Sequence, residues 1–335
     1  MQQKLFFICL MLLGGTAWTQ KSSATPSGEI MYHVCQRSFY DSDGDLQGDL
    51  NGLRQKLPYL QDLGVSSILL FPLYESDCYH NYFANNFETI DPEFGSMQAY
   101  IELVQEIHRL GMKVYLDMET QYVTSKHLWW QDAVGNLNSP YADYLLFDDA
   151  AHLQPATMVF DLRFLKGYDG QIINVTTVNL KSPKVLDYNI ALFSYFLDPN
   201  KDGKFDDGVD GFRLDHAMDH LDGKPTLTNL FAEFWKPLIA AVKKANPAVK
   251  IVAEQADWAD YGFAYFEKAT VDRMFGFGLQ KAILSFDKQQ IIDNAEVILR
   301  QTPAGKEQII FIENHDIDRF ASLDFALDKQ KAAAA

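Results

Sequence analysis

The sequence predicts an α/β protein, a (β/α)8 TIM barrel with a domain inserted after its third strand, and three observations carry that expectation. Short β-rich apolar runs alternate with amphipathic helical stretches, the pattern of parallel strands covered by helices. Several of the runs end in acids, as barrel strands do where they open onto a functional face. The interval between the third and fourth runs is roughly twice the usual βα spacing, which leaves room for an insertion.

Taken in order, residues 1–20 place Lys4 ahead of an apolar run from Leu5 to Leu13 and then small residues at Gly14, Gly15 and Ala17. That is the order of a secretory signal peptide, and the run falls short of the roughly 20 residues a membrane span needs. An exported, soluble protein without a membrane span is expected. Seven strand-like runs follow: Ile30 to Val34, Val65 to Phe71, Lys113 to Leu116, Val209 to Leu214, Lys250 to Ala253, Arg273 to Phe277 and Gln308 to Ile312. Leu53, Leu57, Leu60 and Leu63 recur at helical spacing after the first run, and Met97, Tyr100, Ile101, Val104, Ile107 and Leu110 after the second. The expected boundaries are 1–20 for the signal, 21–118 for strands one to three, 119–205 for the inserted domain and 206–335 for strands four to seven. No eighth run follows, so a barrel truncated at its C-terminus is expected.

With 47% hydrophobic and 22% charged residues, the chain can bury a large core and is not mainly disordered. Without residues 1–20 it carries 28 basic and 45 acidic residues, a net charge of −17. Such a charge disfavours nucleic acid and anionic membranes and suits a neutral ligand or bound cations. Cys9 lies in the signal-like run, and Cys35 and Cys78 are too few for a disulfide framework; two unlinked thiols are expected.

Four runs share one grammar, an apolar strand that turns polar at its end. They are Tyr115-Leu116-Asp117, Gly211-Phe212-Arg213-Leu214-Asp215, Val252-Ala253-Glu254 and Ile312-Glu313-Asn314-His315-Asp316. Parallel strands in a barrel point one way, so these acids converge on one rim. Gathered carboxylates repel and resist burial, so a cation such as Arg213 has to compensate them. Glycoside cleavage suits such a cluster: one carboxyl protonates the leaving oxygen while another attacks or stabilises an oxocarbenium-like centre. A single acid at a strand end more often caps a helix or meets water; four in series favour a site.

These segments resemble glycoside hydrolase family 13, the α-amylase family, across nearly the whole chain after residue 20. The resemblance implies that Asp215 is the nucleophile with Arg213 beside it, Glu254 the acid/base, Asp316 the stabilising acid and His315 a sugar-hydroxyl ligand. It also implies that Tyr82 stacks on the sugar cleaved and that Asp117 lines the site. His80, two residues before Tyr82, is a further candidate sugar contact. The implied reaction is a retaining double displacement on an α-glucan or malto-oligosaccharide, and the implied insertion is the family's domain B. Departures fall at sugar contacts: Gln121 and Tyr122 replace an Asn-His pair, and Asn86 replaces an aspartate. A catalytically impaired glycan-binding protein and a transglycosylase or isomerase are the alternatives.

Two loops read as calcium sites. Asp41, Asp43, Asp45, Gln47 and Asp49 space oxygen donors at alternate positions around Gly44, as a hard cation requires. A similar loop binds calcium in oligo-α-glucosidase-like members of the family. Asp198, Asn200, Asp202 and Asp206 follow the first nine positions of an EF-hand loop, with Val209 where a bidentate Glu belongs.

Overall fold

Seven parallel strands form one curled sheet in a computed structural model that describes residues 28–334 except 168, 222 and 324–326. They are β1 (Met31–Val34), β2 (Ser67–Leu70), β3 (Lys113–Met118), β4 (Gly211–Leu214), β5 (Lys250–Ala253), β6 (Arg273–Phe275) and β7 (Glu307–Ile309), side by side in chain order. Each expected run is therefore a strand. The signal-like segment 1–20, with Cys9, lies outside the described residues. Among those described, no helix is long and apolar enough to cross a membrane, and Cys35 and Cys78 are free thiols.

Helices cover the outside: α1 (Leu50–Asp62), α2 (Met97–Arg109), α3 (Pro183–Leu197), α4 (Lys236–Ala245), α5 (Phe277–Ser285) and α6 (Lys288–Gln301). Asp49 caps α1 by accepting the Gly52 N–H at 2.7 Å, and Ser96 caps α2 by accepting the Ala99 N–H at 3.2 Å. Leu53, Leu57 and Leu60 are buried, each worth about 1.5–3 kcal/mol of apolar transfer. Leu63, expected on the same face, is 56% exposed, because the helix stops at Asp62 and the chain turns away through Gly64 at φ 89°.

The sheet has two apolar layers because strand side chains alternate. Ile68, Leu70, Val114, Leu116, Phe212, Leu214 and Ile251 belong to the large outer core, while Leu69, Tyr115, Val252 and Phe275 form a smaller inner one. Gly211 is required between them: a Cβ there would sit 2.5 Å from the Tyr115 ring and 2.4 Å from the Lys250 carbonyl oxygen.

β1 and β7 are the sheet's edges. His33 on β1 meets His315, beyond β7, with ring centroids 4.7 Å apart, and Arg273 Nη2 on β6 donates to Glu29 Oε2, ahead of β1, at 2.7 Å. β7 ends at Ile309, short of the expected Ile312, and Ile310 is 62% exposed. The apolar run there exceeds what the sheet pairs, because β7 has a strand neighbour on one side only.

The long interval holds a three-stranded antiparallel sheet, with Ile172–Thr177 between Tyr122–Thr124 and Phe164–Lys166. Trp129 is buried against Phe87, His127, Tyr144 and Tyr188, so its ring packs where the insertion meets the large outer core. α3 follows and packs on α4.

Candidate active site

Strand register assembles the centre of the site. β3 and β4 place Asp117 beside Arg213, β4 and β5 place Arg213 beside Val252, and the Glu254 N–H continues the ladder to the Leu214 carbonyl at 3.0 Å. Phe212 and Leu214 point outward into apolar packing, so Arg213, between them, points inward. It is fully buried. Its Nη1 donates to both oxygens of Asp117, at 2.8 and 2.9 Å, and to Asp215 Oδ1. Its Nη2 donates to Glu254 Oε2 at 2.6 Å. One guanidinium thus holds acids from three strands, the compensation that a buried carboxylate cluster demands.

The acids respond differently to this setting. Burial resists the charge on Asp215, but Arg213 and a hydrogen bond from Glu119 overcome it and lower its pKa to about 2. For Glu254 burial dominates the pull of Arg213, and the charges of Asp215 and Asp316 add to it, so its pKa rises to about 8. Asp117 is likewise pushed up, by burial, to about 7. At neutral pH the cleft holds an ionised Asp215 beside a protonated Glu254.

Around them lie the expected sugar contacts. Tyr82 Oη donates to Asp117 Oδ2 at 2.7 Å and lies 2.8 Å from His315 Nε2, with the two rings stacked at 5.6 Å. His80 Nδ1 accepts the Tyr82 N–H at 3.1 Å. Burial lowers the His315 pKa to about 3, so its imidazole is neutral. Asp316 stands 3.4 Å from His315 Nε2 with its side chain 34% exposed. Asp215, Glu254, Asp316, Tyr82, His315 and His80 all line one cleft of about 910 Å³, with Asp117 and Arg213 beneath.

Several site residues escape sequence reasoning. His33, the penultimate residue of β1, places Nε2 3.7 Å from Asp117 Oδ2; a polar residue late in an apolar run was its signal. Trp258 donates its Nε1–H to Glu254 Oε1 at 3.3 Å, four residues beyond that acid. Phe160 reaches the cleft from the insertion with its side chain 79% exposed and φ 60°, and no pattern marks it. Gln121, noted as a departure, donates its side-chain amide to the carbonyls of Asp215 at 2.9 Å and His216 at 3.1 Å. It thereby fixes the turn after β4, where His216 adopts φ 45°.

The candidate metal residues behave unequally. Carboxylate oxygens of Asp41, Asp43 and Asp49 lie within 4.8 Å of one another. Backbone N–H groups of Gly44 and Leu46 hold the Asp41 carboxyl below its usual pKa, so it is ionised. This hard, anionic oxygen set fits calcium. Asp45 accepts the Gln47 N–H, and Gln47 Oε1 accepts from Arg37 Nη1 at 2.6 Å, so these two are engaged elsewhere. In the second loop Asp198 accepts the Asp202 and Gly203 N–H groups, Asn200 that of Asp202, and Asp202 pairs with Lys204. Asp206 is not drawn into a three-acid cluster with them.

Compared with known proteins, residues 33–334 match the family model described as "Alpha amylase, catalytic domain". The chain is 30% identical over 296 residues to "Alpha-amylase 3" of Dictyoglomus thermophilum, a match covering 86% of this chain and 56% of that protein. It is 27% identical over 326 residues to the "4-alpha-glucanotransferase" of Thermotoga maritima, covering 90% of this chain and 66% of that one. Among solved structures, the α-amylase from H. orenii superposes with a TM-score of 0.76 at 27% identity, over 91% of this chain and 65% of that one. The chain therefore spans between about half and two thirds of the length of the relatives it matches.

Proposed function

The chain belongs to the α-amylase catalytic-domain family, and from that premise we propose that the protein is a retaining glycoside hydrolase of starch-type α-glucans or malto-oligosaccharides. One observation carries the reading: Asp215 and Glu254 touch two nitrogens of a single buried guanidinium, and their surroundings pull their proton affinities in opposite directions, down for Asp215 and up for Glu254. Asp215 attacks the anomeric carbon while Glu254 gives its proton to the departing glycosidic oxygen. Glu254, then anionic, takes a proton from the water that attacks the glycosyl ester, and the bonding pair returns to Asp215. Arg213 needs no rearrangement between the steps, because it is already bonded to both acids. Tyr82 offers a ring face to the sugar cleaved, with His315 and Asp316 as hydroxyl partners.

Replacing Asp215 by Asn and Glu254 by Gln tests the assignment on soluble starch, maltotriose and isomaltose. Reducing-end release falling by about 10³-fold or more in both variants supports it, the size expected when a nucleophile or proton donor is removed. Unchanged release in either variant refutes that residue's role. Similarity to a glucanotransferase favours a second reading, in which a sugar hydroxyl replaces water as acceptor. New linkages in the maltotriose digest would decide for transfer.

The proposal extends to a calcium ion held by Asp41, Asp43 and Asp49, where it would tie the β1–α1 loop to the start of α1. Export, argued from residues 1–20, completes it.

A further inference from the structure

Glu119 is a buried acid in this cleft that the mechanism above leaves without a task; Glu313, which also lines it, is bonded to Arg319. Glu119 follows β3 by one residue, is 1% exposed and lines the cleft with Asp215. Its Oε1 accepts the Gln121 backbone N–H, and Gln121 Nε2 stands 3.3 Å from Oε2. Both hydrogens of that amide have closer acceptors, the carbonyls of Asp215 and His216. Arg213 makes no hydrogen bond to Glu119: its Nη groups bond Asp117, Asp215, Glu254 and Tyr82, and its buried Nε has no partner among the described residues. An ionised Glu119 would therefore be a second buried negative charge beside the nucleophile, hydrogen-bonded by Gln121 and attracted by Arg213 only without a direct bond.

We propose that Glu119 is held as a neutral carboxylic acid whose O–H donates to the Asp215 carboxylate, a positioning residue that keeps the nucleophile ionised. The proposal rests on Asp215 being the nucleophile. The groups facing this pair are Tyr74, His80 and Tyr82 after β2, Asp117 on β3, Arg213 and His216 about β4, Glu254 after β5, and His315 and Asp316 after β7. Arg213 is the buried cation among them, and Asp117 and Glu254 already contact it. Burial first, and then the Asp215 charge, hold the Glu119 carboxyl protonated well above the usual carboxylate range. The hydrogen bond between the two acids acts oppositely on each, raising Glu119 and lowering Asp215.

The test uses the full chain and the variants Glu119→Gln and Glu119→Leu. The amide of Glu119→Gln still donates, so the acidic limb of kcat/KM on maltotriose stays where the wild type has it. Glu119→Leu removes the donor and moves that limb upward by about one to two pH units. Equal limbs in the wild type and Glu119→Leu would overturn the proposal. An infrared measurement stands apart from turnover and from the folding of Glu119→Leu. At neutral pH Glu254 gives a protonated-carboxyl C=O stretch in both proteins, and the wild type shows a further one that Glu119→Gln lacks; identical spectra would likewise overturn it. If the wild type cleaves no α-glucan, or Asp215→Asn retains turnover, the functional reading fails while the infrared result still decides the state of Glu119.

Discussion

Asp215 and Glu254 share a guanidinium and differ in their other neighbours: a hydrogen bond from Glu119 joins Arg213 in favouring the Asp215 carboxylate, whereas the charges of Asp215 and Asp316 join burial against that of Glu254. Desolvation therefore wins at Glu254 and loses at Asp215. The pH dependence of kcat/KM should show a basic limb near pH 8, as Glu254 loses the proton it must donate, and an acidic limb far below pH 4, as Asp215 gains one. A basic limb below pH 6 would contradict this. Stability follows the same acid: the unfolded chain releases the Glu254 proton near 4.5, as an ordinary glutamate does, and the folded chain near 8. Its contribution is complete below the first value and is lost as pH rises through the second. The strand-end acids and Arg213 were legible because each closes an apolar run. His33, Trp258 and Glu119 were not, since a lone polar residue near a strand end says nothing about what faces it across the barrel.

Alternation within strands does the positioning at the next scale. Phe212 and Leu214 are claimed by the outer core, which forces Arg213 inward, and register with β3 and β5 then delivers its partners. The β1–α1 loop shows the same economy, for Asp49 both caps α1 and belongs to the three-carboxylate cluster. Chelation with EDTA should lower the unfolding midpoint by about 5 °C, with calcium restoring it, if the ion binds well below its working concentration. Asp41→Ala should abolish that response. A midpoint indifferent to EDTA and calcium in the wild type would remove the ion from the proposal. Alternate acids revealed this loop in the sequence, yet spacing did not show that Asp45 and Gln47 bond within the protein.

For the molecule as a whole, a sheet with two edges is held least firmly at those edges. Amide exchange should be faster in β7 than in β3 and β4, by 10-fold or more, because those strands are paired on both sides and β7 on one. Equal protection in all three would mean that β7 has a partner beyond the sheet. The order of strands, their parallel direction, the place of the insertion and the identity of the polar ends were determined by the sequence itself, since periodicity and interval length are local properties. Tertiary structure alone decided that Leu63 faces solvent, that β7 stops at Ile309, that Trp129 packs against Phe87, which lies outside the insertion, and that Glu119 lines the same cleft as Asp215. Those outcomes depend on which surfaces meet when the sheet curls, and burial and proton affinity are set by neighbours distant in the chain.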